Sequence, residues 1–175
     1  MQNSVLRRPV DAYFAQYAES HLNPTNKLIH WICVPLIAFS ILGLVWSIPF
    51  PLLSFLGKAN GYINWATFLI LFSLGYYLRL SVPLAVAMLL TLFVFAAGIV
   101  TLEKLQANAG WLPMWQVCLI IFVLAWAGQF IGHKIKGKKP LFLDDIKFLL
   151  IGPIWLWHFI FRKVGLIPNS KKNFP

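Results

Sequence analysis

Charge is scarce in this 175-residue chain: 11% of its residues are Asp, Glu, Lys or Arg, and only five of those are acidic. A soluble globular domain carries about 25% charged residues, so a chain bathed in water on all sides is excluded. Cysteine is scarcer still. Cys33 and Cys118 both lie inside apolar runs, with no CxxC pair and no Cys-rich framework, which removes support for a disulfide scaffold or a thiolate metal site. No internal repeat is visible. The first thirty residues contain Arg7, Arg8, Asp11, Glu19 and Lys27 and never assemble the continuous apolar core of a cleavable signal peptide. Targeting therefore falls to the apolar segments further on.

Those segments dominate the chain. Hydrophobic residues make up 59% of it, the mean hydropathy is +0.74, and the reading is an integral membrane protein. Four stretches supply the roughly twenty apolar residues that a crossing needs: about 28 to 47, 62 to 79, 82 to 100 and 111 to 132. Between them stand "SIPFP" with "GKANG", then "RLSVP", then "EKLQANAG". The expected fold class is an all-α integral membrane protein, a bundle of about four transmembrane helices forming one domain over 1–175. Residues 1–27 would form a cytoplasmic amphipathic helix and turn, 28–132 the bundle, and 133–175 a cytoplasmic basic loop with an interfacial or re-entrant helix.

Both flanking pieces have physical reasons. Val10, Tyr13, Phe14, Tyr17 and His21 recur at helical spacing, with Asp11, Gln16 and Glu19 off that face. The Asn-Pro pair at 23 and 24 should end that helix, leaving Asn26 as N-cap of the next. At the other end, Phe148 to Phe161 is short, contains Gly152-Pro153, and is flanked by Lys147 and Arg162-Lys163. Flanks of one sign argue against a crossing.

Lys and Arg set the orientation. Of the fifteen, only Lys58 and Lys104 fall on one side of these spans, so both termini are expected in the cytoplasm by the positive-inside rule. In a bacterium that membrane would be the inner one, in a eukaryote the endoplasmic reticulum. The net charge of +10 then reads as topology and attraction to the lipid bilayer surface, not as nucleic-acid binding.

Histidine is the unexpected element. "HLNPTNKLIH" holds His21 and His30 on either side of a turn, His133 follows the fourth span with Gln129 one turn before it, and His158 lies in the C-terminal helix. On this topology all four reach one membrane surface from three distant parts of the chain. Singly, each reads more readily as a hydrogen-bonded helix-end residue than as a ligand. No HExxH motif and no desaturase-type histidine boxes are present.

Tyr17-x-x-x-His21, "HLNPTNKLIH" running into Val34-Pro35, "QFIGH" at 129 to 133 followed by Pro140 and Leu143-Asp144, and "GPIWLWH" occur together and in order. In this the chain resembles the Mpo1-like family of membrane 2-hydroxy fatty acid dioxygenases. It departs from the family pattern after His133, where basic "KIKGKKP" stands in place of an acidic residue. The resemblance implies an Fe(II)-dependent oxidoreductase of fatty acid α-oxidation, in which a 2-hydroxy long-chain fatty acid and O2 give the acid one carbon shorter. It further implies His21, His30, His133 and His158 as metal ligands, since acids are few and Glu103 is assigned to the opposite surface. Lys27, with Lys134 as a second candidate, would hold the substrate carboxylate, and Asn26 and Gln129 would orient the histidines. Two other classes stay open on sequence alone: a zinc-dependent membrane hydrolase using the same histidines, and a non-enzymatic scaffold or transporter. Substrate chain length and oligomeric state are not set by the sequence.

Overall fold

The computed structural model describes residues 24–51, 63–135 and 142–165. Among them every regular element is helical: α1 is Pro24–Trp46, α2 Trp65–Leu80, α3 Val82–Ala109, α4 Met114–Ile135 and α5 Phe142–Lys163. The all-α membrane architecture expected from hydropathy is present. The N-terminal amphipathic segment, with His21 and Tyr17, lies outside the described residues, as does the basic loop 136–141.

Local chemistry sets the helix ends. Pro24 opens α1, where its missing N–H would find no intrahelical partner anyway. Asn26 is consequently inside the first turn of α1, and its expected role as N-cap is corrected. A capping box starts α2: Asn64 Oδ1 accepts the Thr67 N–H at 3.1 Å, and the Asn64 N–H donates to Thr67 Oγ1 at 3.3 Å. Ser81 alone, in extended backbone, both ends α2 and starts α3, and Pro83 follows it inside the first turn. α3 runs well past the expected end at residue 100, through "EKLQANA", because Leu, Glu, Lys and Gln are good helix formers outside lipid as well as in it. It stops where Gly110 turns left-handed at φ 61°. Gln106 then reaches across the turn, its Oε1 accepting the Met114 N–H at 2.9 Å at the start of α4.

Three helices are long and apolar enough to cross a membrane: α1, α3 and the Met114–Gly132 part of α4. The remaining apolar helix, α2, has 16 residues, about 24 Å at 1.5 Å per residue, against a hydrocarbon thickness of roughly 30 Å. Large apolar side chains face outward all along the bundle, Phe72 70% and Phe93 73% exposed among them. In water such a surface would aggregate; in a bilayer it is the solvated one.

The tightest packing joins α1 to α4, which run antiparallel. A Cβ added at Gly43 would overlap Cys118 Sγ, one at Gly128 would sit 2.7 Å from Cys33 Sγ, and one at Gly132 would sit 2.6 Å from Asn26 Oδ1. Small residues let two backbones approach closely, which in lipid is a main source of helix association. Beyond this seam, Leu42, Ala66, Ile99, Met114 and Cys118 close one end of the bundle. At the other end α5 packs on α1, α2 and α3, burying Ile154 and Trp155 against Tyr77, Leu84, Ala85 and Met88.

The α1–α4 seam is testable by overpacking. Gly128→Ala should lower stability by about 1–3 kcal/mol, and Cys33→Ala, which removes the sulfur that the new methyl would meet, should recover most of the loss in the double variant. Thermal unfolding of the four proteins in one detergent measures both numbers.

Candidate functional site

Four buried polar side chains gather where α5 docks. Asn26 and His30 come from α1, Gln129 from α4 and His158 from α5, at 1%, 5%, 6% and 6% exposure. The connectivity brings them to one end: α1 and α3 begin there, α2 and α4 end there, and α5 covers it.

Helical spacing places them more closely. On α1, Asn26 faces Gly132 and Cys33 faces Gly128, and His30 lies one turn from the first and three residues from the second. On α4, Gln129 follows by one turn Ala125, which packs with Cys33 and Ile37, and precedes Gly132 by three residues. His30 and Gln129 are thus level with each other across the α1–α4 seam. Residue 133 comes one turn after Gln129, in the last turn of α4; the His133 side chain lies outside the described residues. Of the four expected ligands, the structure therefore describes His30 and His158 as buried side chains at one end of the bundle. Among the described residues no group of three His, Cys, Asp or Glu side chains is placed to hold a metal.

Among the described side chains no carboxylate stands at this end. The acid whose side chain is described, Glu103, stands 21 residues along α3 from Val82, about 30 Å away. Positive charge, in contrast, is present. Lys27, half-buried in the first turn of α1, places Nζ 4.0 Å from the centroid of the Phe159 ring and 5.7 Å from that of Trp155. These rings flank His158 on α5, so the ammonium is held by π faces beside the histidine turn. No carboxylate partners it among the described residues. Lys134, the second candidate for the substrate carboxylate, is exposed.

Trp31 is a residue to which the sequence assigned no role. Its ring meets Phe159 edge-on, centroids 5.3 Å apart at 89°, and its Nε1 is buried with no hydrogen-bond partner among the described residues. The signal available beforehand was its position, one turn after Lys27 and next to His30.

α5 is pinned at depth. Trp157 Nε1–H donates to Thr91 Oγ1 at 2.9 Å, and the Thr91 hydroxyl donates to the Ala87 carbonyl at 3.0 Å. Thr91 lies nine residues into α3, about 13 Å from its start, so α5 reaches well into the bundle from that end.

A family model described as 2-hydroxy-palmitic acid dioxygenase Mpo1-like matches residues 7–164. The chain belongs to the Mpo1-like family. Searches of curated proteins and of solved structures return no match. The Mpo1-like match encloses all five helices and all four histidines, so the kinship suggested by the histidine motifs holds over most of the chain.

The Trp157–Thr91 bond should be a measurable anchor for the helix that carries His158. Trp157→Phe and Thr91→Val should each cost about 0.5–1.5 kcal/mol. The double variant should cost little more than either one, because both remove the same bond. Full additivity in detergent unfolding would refute the anchor.

Proposed function

We propose that this Mpo1-like protein is a membrane dioxygenase of fatty acid α-oxidation, which uses Fe(II) and O2 to convert a 2-hydroxy long-chain fatty acid to the acid one carbon shorter. The observation that carries this reading is the burial of His30 and His158 at one end of an otherwise apolar bundle. Ionisable side chains are rare inside apolar membrane bundles, and where they occur they mark functional sites.

The donor set fits the metal. Imidazole is a good ligand for Fe(II), and His21, His30, His133 and His158 would hold it. Bound there, Fe(II) would supply the redox chemistry that O2 requires, with coordination positions left for O2 and substrate. The rest falls to the chain itself. Asn26 and Gln129, buried at the level of His30, would fix ring orientation and tautomer by hydrogen bonding. Lys27 would hold the carboxylate, and the packed aromatic rings of Trp31, Trp155 and Phe159 would keep water from it. The acyl tail would stay among apolar helices, its headgroup at the cytoplasmic surface that the Lys and Arg distribution favours. A zinc hydrolase built on the same histidines would want a carboxylate base beside its activated water, and among the described side chains none stands at this end.

The test is direct. Purified protein loaded with Fe(II) and given O2 and 2-hydroxypalmitic acid should yield pentadecanoic acid; chelation should abolish the product, and Fe(II) but not Zn(II) should restore it. His30→Ala and His158→Ala should remain folded yet lose bound iron, and should lose more activity than the roughly 10–100-fold typical of residues that only orient a ligand. Asn26→Ala and Gln129→Ala should fall within that range. Folded, iron-loaded protein that makes no odd-chain acid would sink the reading.

A further inference from the structure

Two hydrogen-bond donors at the α5 end of the bundle lack an acceptor among the described residues. One is the Lys27 ammonium, whose contacts are the faces of Phe159 and Trp155. The other is the Trp31 indole N–H, buried and unpartnered. One turn of α1 separates the two residues, so they share a helix face, and both touch the same ring of α5, Phe159. A buried donor left unmade is costly, and more so in a membrane, where no water can supply the acceptor. A ligand oxygen is the economical explanation for the buried indole N–H, and the half-buried ammonium stands one turn away to share it.

We propose that Lys27 Nζ and the Trp31 N–H form a two-point seat for the carboxylate of a long-chain acid, so that the protein selects fatty acids from neutral lipids by their headgroup. One carboxylate offers one oxygen to a cation and the other to a neutral donor. Trp31 is seven residues into α1, about 10 Å from its start. This depth suits a small headgroup drawn below the surface better than the bulky phosphodiester of a membrane lipid. Phe159 organises the seat, its face under the ammonium and its ring against the Trp31 edge. The identity of the occupant as a fatty acid rests on the proposed function; the seat itself is read from the donors.

The experiment is equilibrium binding of palmitate, hexadecanol and hexadecyl phosphate to the full-length protein in nanodiscs, for wild type, Lys27→Met, Lys27→Arg and Trp31→Phe. Palmitate carries no 2-hydroxyl and undergoes no turnover, so binding is read apart from the reaction. Palmitate should bind wild type at least tenfold more tightly than hexadecanol. Lys27→Met and Trp31→Phe should each weaken palmitate about tenfold or more, as loss of a hydrogen bond to a charged group does, and leave hexadecanol unchanged. Lys27→Arg should retain most of the affinity. Trp31→Phe keeps the ring but deletes the orphan donor, so its unfolding temperature without ligand should equal or exceed that of wild type. A purely structural Trp31 would show the reverse: lower stability with palmitate affinity intact, which overturns the proposal. Preference for hexadecyl phosphate also overturns it, by making the seat a phosphate site. If 2-hydroxypalmitate is not turned over but the binding pattern holds, the dioxygenase reading fails and the seat stands. If turnover is normal and both variants bind palmitate like wild type, the seat alone fails.

Discussion

Where α1 crosses α4, glycine and thiol meet twice, Gly43 against Cys118 and Gly128 against Cys33, and Asn26 completes the seam against Gly132. Apolar helices in lipid gain little by hiding apolar surface, since lipid tails are as apolar as leucine, so association depends on how closely backbones can approach. This seam provides that approach, and it also fixes register. A slip of one helical turn, 5.4 Å, would drive a Cβ-bearing residue into the place of Gly43 and of one of Gly128 and Gly132, which stand a turn apart, and would carry His30 away from Gln129. The site is therefore a consequence of the seam: the contacts that hold the two helices together also set the level of its polar groups.

The distribution of buried polar side chains supports the same view. Ser40 is accounted for by the Ile37 carbonyl, and Asn64 caps α2. Of the other buried polar residues described, Asn26, His30, Gln129 and His158 stand at the α5 end, and Ser73 apart from them. Helix formation needs none of those four. The α1–α4 seam buries Asn26 against Gly132, and α5 brings His158 to the same end. The Trp157–Thr91 bond and the Ile154 and Trp155 contacts hold α5 against the bundle.

Much of this was legible in the sequence. Hydropathy located α1, α2, α4 and the start of α3 within a few residues, because a twenty-residue apolar run has few other uses. The C-terminal helix was legible too, as α5, over Phe142–Lys163. The length of α3 was misjudged, since hydropathy reports where lipid ends and not where a helix does; "EKLQANA" continues in water on propensity alone, until Gly110. Asn26 was misplaced by one rule, that an Asn after Pro caps a helix, when the same Pro served as the first helical residue. Trp31 was invisible for another reason. Aromatic residues are abundant in this chain, and only three-dimensional packing shows that the Trp31 N–H lacks an acceptor among the described residues.

The shortage of acids observed at the outset takes on a local meaning at this end of the bundle. A carboxylate beside Lys27 would neutralise the ammonium and repel an acidic ligand; Phe159 and Trp155 steady the cation without doing either, because a ring face attracts positive charge yet leaves it free to pair. On the proposed topology, the same end also faces the membrane surface where nearly all Lys and Arg collect. A basic surface of that kind enriches anionic amphiphiles from the adjoining leaflet. On the proposed function, the global charge imbalance would concentrate acids at the surface, and Lys27 and the Trp31 N–H, which have no acceptor among the described residues, would choose among the molecules that arrive.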